Sequence, residues 1–297
     1  MGAGFRPAAR LVHGGADSGA VAPGLRGWGR RAGAILGLLG GWGLVEAGWP
    51  RLRVLELQLP GLPPELDGIR IAHLSDFHLG VPSPGVRAVA RGVEWAASRH
   101  PDLTVVTGDL LTHPRGEPRL RALAARLPQP AFGVLGNHDL AIARDPLARA
   151  SNLRDLEPVQ LLRDAGRLVE LRGKSVWIAG VHPRLIVKRL KKVDPNDLSR
   201  DADFRILLCH YPRVLDDLEP GRFDLVLAGH MHDGQITVPY PGGKIRLAHP
   251  TARYAAGVYR SPAGVMHVSP GLGTTFVPFR FGARPEATEL VLRSPGR

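Results

Sequence analysis

The sequence predicts an α/β protein in which packed sheets are flanked by helices. Three observations predict it. Apolar strand-like runs alternate with helical repeats early in the chain, and strand follows strand toward its end. Five of the apolar runs end directly in short clusters of Asp, His or Asn. Sites in open α/β sheets form outside the carboxyl ends of strands, so such clusters can converge from distant positions.

The first element stands apart from the rest. Residues 1–31 are rich in Gly, Ala and Arg without a period, and Ala32–Val45 is a run of fourteen residues without a charge. Arg26, Arg30 and Arg31 precede it. Basic residues followed by an apolar run is the order of a signal sequence or membrane anchor. The run is shorter than the roughly 20 residues of a full span; the alternative is a buried helix. Arg30-Arg31 also suggests a twin-arginine export signal, although Ala32-Gly33 replaces the expected hydrophobic pair. The expectation is a targeting or anchor segment over 1–51 and one domain over 52–297. The cell membrane is the expected location, peripherally or through a single N-terminal anchor.

Arg53–Leu59 alternates apolar and polar residues, as a half-buried strand does. Ile69–Leu74 is a second strand, and Val86–Arg99 is a helix stopped by Pro101. Leu103–Thr107 reads as a buried strand, Arg119–Leu127 as a helix and Ala131–Leu135 as a strand. Further strands are expected at Leu168–Leu171, Val176–Ala179, Ile206–Cys209, Leu225–Ala228, Gln235–Val238, Gly257–Tyr259, Val265–Val268 and Ala287–Leu292.

Composition narrows the chemistry. Lys and Arg outnumber Asp and Glu by 39 to 27, which draws the chain to anionic partners. The lone Cys209 excludes an intramolecular disulfide and a site of several thiolates, and reads as a buried strand residue. No zinc finger or aromatic-and-basic ribonucleoprotein motif supports specific nucleic-acid binding.

The clusters are Ser75-Asp76-Phe77-His78, Gly108-Asp109, Gly136-Asn137-His138-Asp139, Cys209-His210 and Gly229-His230-Met231-His232. Carboxylates, an amide carbonyl and imidazoles suit manganese, iron or zinc. The seven candidate ligands Asp76, His78, Asp109, Asn137, His210, His230 and His232 are too many for one tetrahedral ion and suit two ions sharing a bridge. A carboxylate has oxygens enough to bridge, and Asp109 is the candidate.

In this order the motifs resemble the calcineurin-like metallophosphoesterase superfamily, whose series is D-x-H, G-D, G-N-H-[DE], H and G-H-x-H. The match runs from about 52 to 292. The resemblance implies a four-layer α/β/β/α sandwich, here with an N-terminal hydrophobic segment. It implies that Asp76, His78, Asp109 and His232 hold one metal, and that Asp109, Asn137, His210 and His230 hold the other. His138 then stands beside them as the catalytic histidine. Two divalent ions are the implied cofactors, manganese favoured.

LPGLPPELDGIRIAHLSDFHLG (59–80), GHMHDGQI (229–236) and SPGLGTTFVPFRFGARPE (269–286) look like the YaeI/YkuE-type bacterial phosphodiesterases, which include UDP-2,3-diacylglucosamine pyrophosphatases of lipid A synthesis. The implied activity is hydrolysis of a phosphodiester or pyrophosphate bond in a phosphorylated, lipid-linked substrate at a membrane surface. A general phosphodiesterase acting on nucleotides or glycerophosphodiesters is the alternative. A non-catalytic binder of anionic lipid or nucleic acid is the alternative of another class. Asp233 stands where that subgroup has glycine, either hydrogen-bonded to a ligand histidine or tolerated in a turn. The basic stretch Arg184–Lys192 is either a solvated helix face or a rim for anionic lipid.

Overall fold

The computed structural model describes residues 23–183 and 194–295. The basic stretch 184–192 and the first 22 residues lie outside the described residues. In chain order the elements are α1 (Pro23–Ala47), β1 (Arg51–Gln58), β2 (Arg70–Leu74), α2 (Gly85–Arg99), β3 (Leu103–Thr107), α3 (Glu117–Ala124), β4 (Ala131–Val134) and β5 (Gln160–Leu161). Then come β6 (Ala165–Leu171), β7 (Lys174–Val181), β8 (Phe204–Cys209), β9 (Leu225–Ala228), β10 (Thr237–Tyr240), β11 (Gly243–Arg246), β12 (Gly257–Ser261), β13 (Gly264–Val268) and β14 (Glu286–Arg293).

Two six-stranded sheets carry the fold, ordered β1-β14-β2-β3-β4-β5 and β12-β13-β9-β8-β7-β6, with β10 and β11 as a separate hairpin. The centre of each sheet is parallel: β2, β3 and β4 in one, β7, β8 and β9 in the other. Strands buried on both faces read as continuous apolar runs, and LTVVT of β3 and LVLA of β9 are buried throughout. Side chains such as Ile71, Val105 and Phe132 of the first sheet meet Ile178, Phe204 and Leu227 of the second in the central core.

The outer face of the first sheet packs on α2 and α3. Helix α2 turns Ala88, Val89, Val93 and Ala96 inward. It ends at His100 in the left-handed region (φ 49°), just before Pro101. The resemblance implies a helical layer on the second sheet too. Among the described residues that face is covered by two 3-10 turns, Pro195–Leu198 and Pro212–Asp216, with Tyr211 and Tyr254. Both turns are only a few residues long, too short for an amphipathic α-helix face.

The apolar N-terminal run lies within α1, and no described helix is long and apolar enough to cross a membrane. The chain divides after Leu39, and Gly40–Arg297 forms one compact unit containing both sheets. Within it, Gly43, Glu46 and Ala47 of α1 are buried. Gly43 O accepts from Arg280 N at 3.1 Å, and the Glu46 carboxylate accepts from the backbone N–H groups of Gly282 and Ala283 at 3.1 and 3.0 Å.

Two histidines meet in the interior between the sheets. His73 Nδ1 lies 2.8 Å from His267 Nδ1, and His73 Nε2 lies 2.9 Å from Thr107 Oγ1. His267 Nε2 is buried with no partner among the described residues. Burial, reinforced by neighbouring positive charge, pushes His267 down to about 3 and holds His73 well below its ordinary value. Both rings are neutral when folded, whereas the unfolded chain protonates them below about 6.5. Their contribution is complete above that pH and lost as the pH falls toward 3. Denaturant unfolding of the metal-free protein should show His267→Leu costing about 1–3 kcal/mol, because His73 loses its partner. The His73→Leu/His267→Leu double variant should lose less than the sum of the singles, and its stability should fall less between pH 7 and pH 5.

Candidate metal centre

Each predicted cluster occupies the carboxyl end of a parallel strand: Asp76 and His78 after β2, Asp109 after β3, Asn137 and His138 after β4, His210 after β8, His230 and His232 after β9. All seven predicted ligands and His138 come together there. Asp76, His78 and His232 offer donor atoms within 4.8 Å of one another; so do Asp109, His210 and His230, and His78, Asp109 and His138.

The distances define two adjoining pockets of donors. In the first, His78 Nε2 and His232 Nε2 face each other at 3.0 Å, with Asp76 Oδ1 3.3 Å from His232 Nε2 and Asp109 Oδ2 3.5 Å from His78 Nε2. In the second, His210 Nε2 lies 3.1 Å from Asp109 Oδ2, 3.1 Å from Asn137 Oδ1 and 3.2 Å from His230 Nδ1. Asp109 Oδ2 is the atom common to both.

Getting these side chains to one point strains the backbone. Asp76, His78, Asp109, His230 and His232, five of the seven, have φ between 48° and 77°. The left-handed region is uncommon for residues with a Cβ and clusters at functional sites. Glycine makes room where a Cβ cannot fit. A Cβ on Gly136 would stand 2.0 Å from Asp109 Oδ1, and one on Gly229 would stand 2.5 Å from Asp76 Oδ2.

Hydrogen bonds outside the centre orient the rings, as is usual for metal-ligating histidines. His210 Nδ1 lies 2.8 Å from Thr107 O, an acceptor only, so Nδ1 carries the proton and Nε2 is left toward Asp109. His78 Nδ1 is held by Thr112 Oγ1 at 2.9 Å. Arg280 is wholly buried and donates through Nη2 to His232 Nδ1 at 3.0 Å; it also donates to the carbonyls of Gly273, Pro270 and Ala283. Burial lowers the Arg280 guanidinium to about 10, and Asp76 opposes that shift.

Electrostatics agree with the geometry. Burial works against ionising Asp76 and Asp109, yet His232 and His210, their respective histidine neighbours, hold both carboxyls below the usual range. Burial acts against charge on His210 as well, but Asp109 raises it to about 9. Asp139 behaves differently. It accepts from the backbone N–H groups of Gly136, Leu111 and Leu110 at 2.8, 2.8 and 3.2 Å, which buckles the β3 and β4 loops together. Burial and then Asp109 push Asp139 up to about 7.

His138 stands against the first pocket, its ring edge-on to His78 with centroids 4.5 Å apart. Its backbone N–H donates to Asp109 Oδ1 at 2.8 Å, and Nε2 lies 3.2 Å from Thr275 Oγ1. Its Nδ1 is buried without a hydrogen-bond partner among the described residues, 3.9 Å from Asp145 Oδ2. A cavity of about 400 Å³ adjoins His230, lined by Tyr211, Arg213, Met231, Arg253 and Tyr254 among others.

Asp233 sits in the tight turn His232–Gly234 with φ 51°, the second of the two roles open to it in the sequence. Its carboxylate pairs with Lys244 and, at 3.0 Å, with Arg246, which ties the β10–β11 hairpin to the loop carrying His232. Arg280 is the partner of His232 instead. Arg280, Asp139 and Thr275 were not legible as site residues: Asp139 lies in the Gly136–Asp139 cluster and Thr275 and Arg280 in the 269–286 segment, but nothing local marks their partners, and Arg280 lies 48 positions from the ring it touches.

The calcineurin-like phosphoesterase family model matches residues 69–234. The chain belongs to that family. It is a metal-dependent phosphoester hydrolase, and the family fold implies a dinuclear divalent metal centre. The donors fit two such ions: three kinds of hard-to-borderline ligand, facing ring nitrogens and a shared carboxylate. The uncharacterized metallophosphoesterase YkoQ of Bacillus subtilis is 27% identical over 238 residues, covering 78% of this chain and 86% of that protein. A transmembrane protein with metallophosphoesterase domain from Danio rerio is 30% identical over 279 residues, covering 87% of this chain and 61% of that protein. The UDP-2,3-diacylglucosamine pyrophosphatase LpxG of Chlamydia trachomatis is 26% identical over 298 residues, covering 80% of this chain and 87% of that protein.

Arg280→Lys should keep the charge but lose the fork that holds His232 and three carbonyls at once. Metal affinity should fall about 10–100-fold, read by competition with a chelator.

Proposed function

We propose that this metallophosphoesterase hydrolyses a phosphodiester or pyrophosphate bond in a lipid-linked nucleotide sugar of the UDP-2,3-diacylglucosamine kind. The observation that carries the hydrolytic part is the convergence of Asp109, the other six donor side chains and His138 on one place. The substrate part is supported by the similarity to LpxG and by the cavity beside His230, which has room for an organic group. Arg213 lines that cavity and suits a second phosphate, while Arg253 beside it is paired with Asp216 at 3.0 Å.

Asp76, His78, Asp109 and His232 would hold one cation, and Asp109, Asn137, His210 and His230 the other. Manganese is favoured, with iron and zinc also suited to the donors. When bound, the two ions supply charge neutralisation at the phosphoryl oxygens and an activated water. His138 donates a proton to the leaving oxygen, with Asp145 and Thr275 setting the plane of its ring. Residues 1–51 are the proposed targeting segment and 52–297 the catalytic domain. Peripheral association with the cell membrane completes the proposal. It is supported by relatives whose names describe transmembrane proteins.

Assays on bis-p-nitrophenyl phosphate and UDP-2,3-diacylglucosamine test the reading. UMP release is expected; turnover of the soluble diester alone favours a general phosphodiesterase. Asp109→Ala should lose bound metal and turnover together, by elemental analysis and assay; full metal content and rate would overturn the bridging role. His138→Ala should keep its metal and lose about 10²–10⁴-fold in kcat. Arg213→Ala should raise KM for the nucleotide sugar lipid while leaving the soluble diester unaffected.

A further inference from the structure

Three segments distant in sequence are stitched side by side near the metal centre. The end of α1 bonds to 280–283 through Gly43 and Glu46, as described above. Next to it, Thr237 N donates to Phe281 O at 2.7 Å, Thr237 Oγ1 to Gly282 O at 2.9 Å, and Phe281 N to Gln235 O at 2.9 Å. Gln235 Nε2 reaches on to Thr275 O at 2.8 Å, beside the hydroxyl that touches His138.

Each segment exposes apolar side chains that no described residue covers. Trp42, Leu44 and Val45 on α1, Phe276, and Val238, Tyr240, Ile245 and Leu247 on the hairpin are each between 42% and 57% exposed. The hairpin is two-faced by its register. Val238 pairs with Ile245, and the period of two puts Tyr240 and Leu247 on the same face. Lys244 and Arg246 occupy the other face and are bound to Asp233. Phe276 stands edge-on to His138, with centroids 6.4 Å apart, so apolar surface reaches the catalytic ring itself.

Arginines flank this surface. A groove of about 370 Å³ is lined by Leu44, Val45, Trp49, Pro84, Arg87 and Arg91. A second groove adjoins it, sharing Trp49 and Arg91 and adding Trp95. The Arg284 guanidinium lies 4.3 Å over the Trp49 ring. Neither Arg87 nor Arg91 has an acidic partner among the described residues. Tryptophans at the level of headgroups, with arginines beside phosphates, are the chemistry of a bilayer interface. A second copy of the chain fits less well, because a twofold contact sets like patches face to face and brings the same unpaired arginines together.

We propose that these three segments form a docking surface for an anionic bilayer, set around the mouth of the metal centre, so that the scissile phosphate is taken from a lipid lying in that bilayer. The substrate half of this inference rests on the phosphoesterase reading; the docking half does not. Exposed apolar residues seat the mouth among the headgroups, and Arg87 and Arg91 meet lipid phosphates. Arg280 links this surface to the metal centre, its backbone N–H bonded to Gly43 O and its guanidinium to His232 Nδ1.

The test uses the full chain, with sedimentation on phosphatidylcholine vesicles with and without phosphatidylglycerol. The wild type should bind the anionic vesicles and bind the neutral ones less. Val45→Glu/Tyr240→Ser should weaken anionic-vesicle binding on the order of tenfold. It should slow hydrolysis of vesicle-borne lipid substrate in step, while turnover of bis-p-nitrophenyl phosphate is unchanged. Should that variant also lose soluble turnover, Arg87→Glu and Tyr240→Ser taken singly decide the question by the same comparison. Equal vesicle binding by wild type and variants overturns the docking surface, and so does a wild type that ignores vesicles and dimerises in light scattering. If the wild type binds vesicles but cleaves no diester, the hydrolase reading fails and the docking surface stands.

Discussion

Burying two carboxylates among a ring of imidazoles is the constraint around which this fold is arranged. Such groups are costly to remove from water unless they are paired or bound to metal. Asp109 answers the requirement most directly. One of its oxygens lies near His78 and His210, and the other accepts from the His138 backbone. The strained residues at the strand ends and the glycines with no room for a Cβ follow from that demand. The same side chains on relaxed backbone would not meet.

Support comes from inside and outside the centre. Inside, the Thr107 hydroxyl meets His73 and Ser75 in the packed interior while its carbonyl orients His210. The core thus fixes a ring nitrogen at the surface of the site. Outside, Arg280 gathers carbonyls from the 270–283 loop and delivers one nitrogen to His232. The end of α1 rests on that same loop. A segment whose composition suggests a separate leader is joined, at its last turns, to the shell of the metal centre.

Much of the site was legible because its residues have no packing rationale where they stand. Asn-His-Asp after the apolar Ala131–Val134 calls for a function, and so does His-Met-His after Leu225–Ala228. Strand assignments failed where local geometry departs from period two. The predicted strand at 235–238 begins instead at Thr237, because Gln235 is left-handed (φ 54°) and spends its side chain on the 275–277 segment. Gln160–Leu161 is too short to leave a pattern, and Gly243–Arg246 lies behind a Pro-Gly-Gly turn.

Residue types and their places at strand ends are properties of local sequence. By themselves they pointed to packed sheets flanked by helices and to seven candidate metal ligands, and their order carried the resemblance to a hydrolase family. Contacts between segments far apart in the chain leave no periodicity, and these only the tertiary structure decided. Among the described residues it assigned Arg280 to His232, Asp233 to the hairpin, short turns to the second sheet's outer face, and the segments with exposed apolar side chains to a common place near His138. The physical reason is that each of these depends on three-dimensional distance, which one residue's neighbours in sequence do not encode.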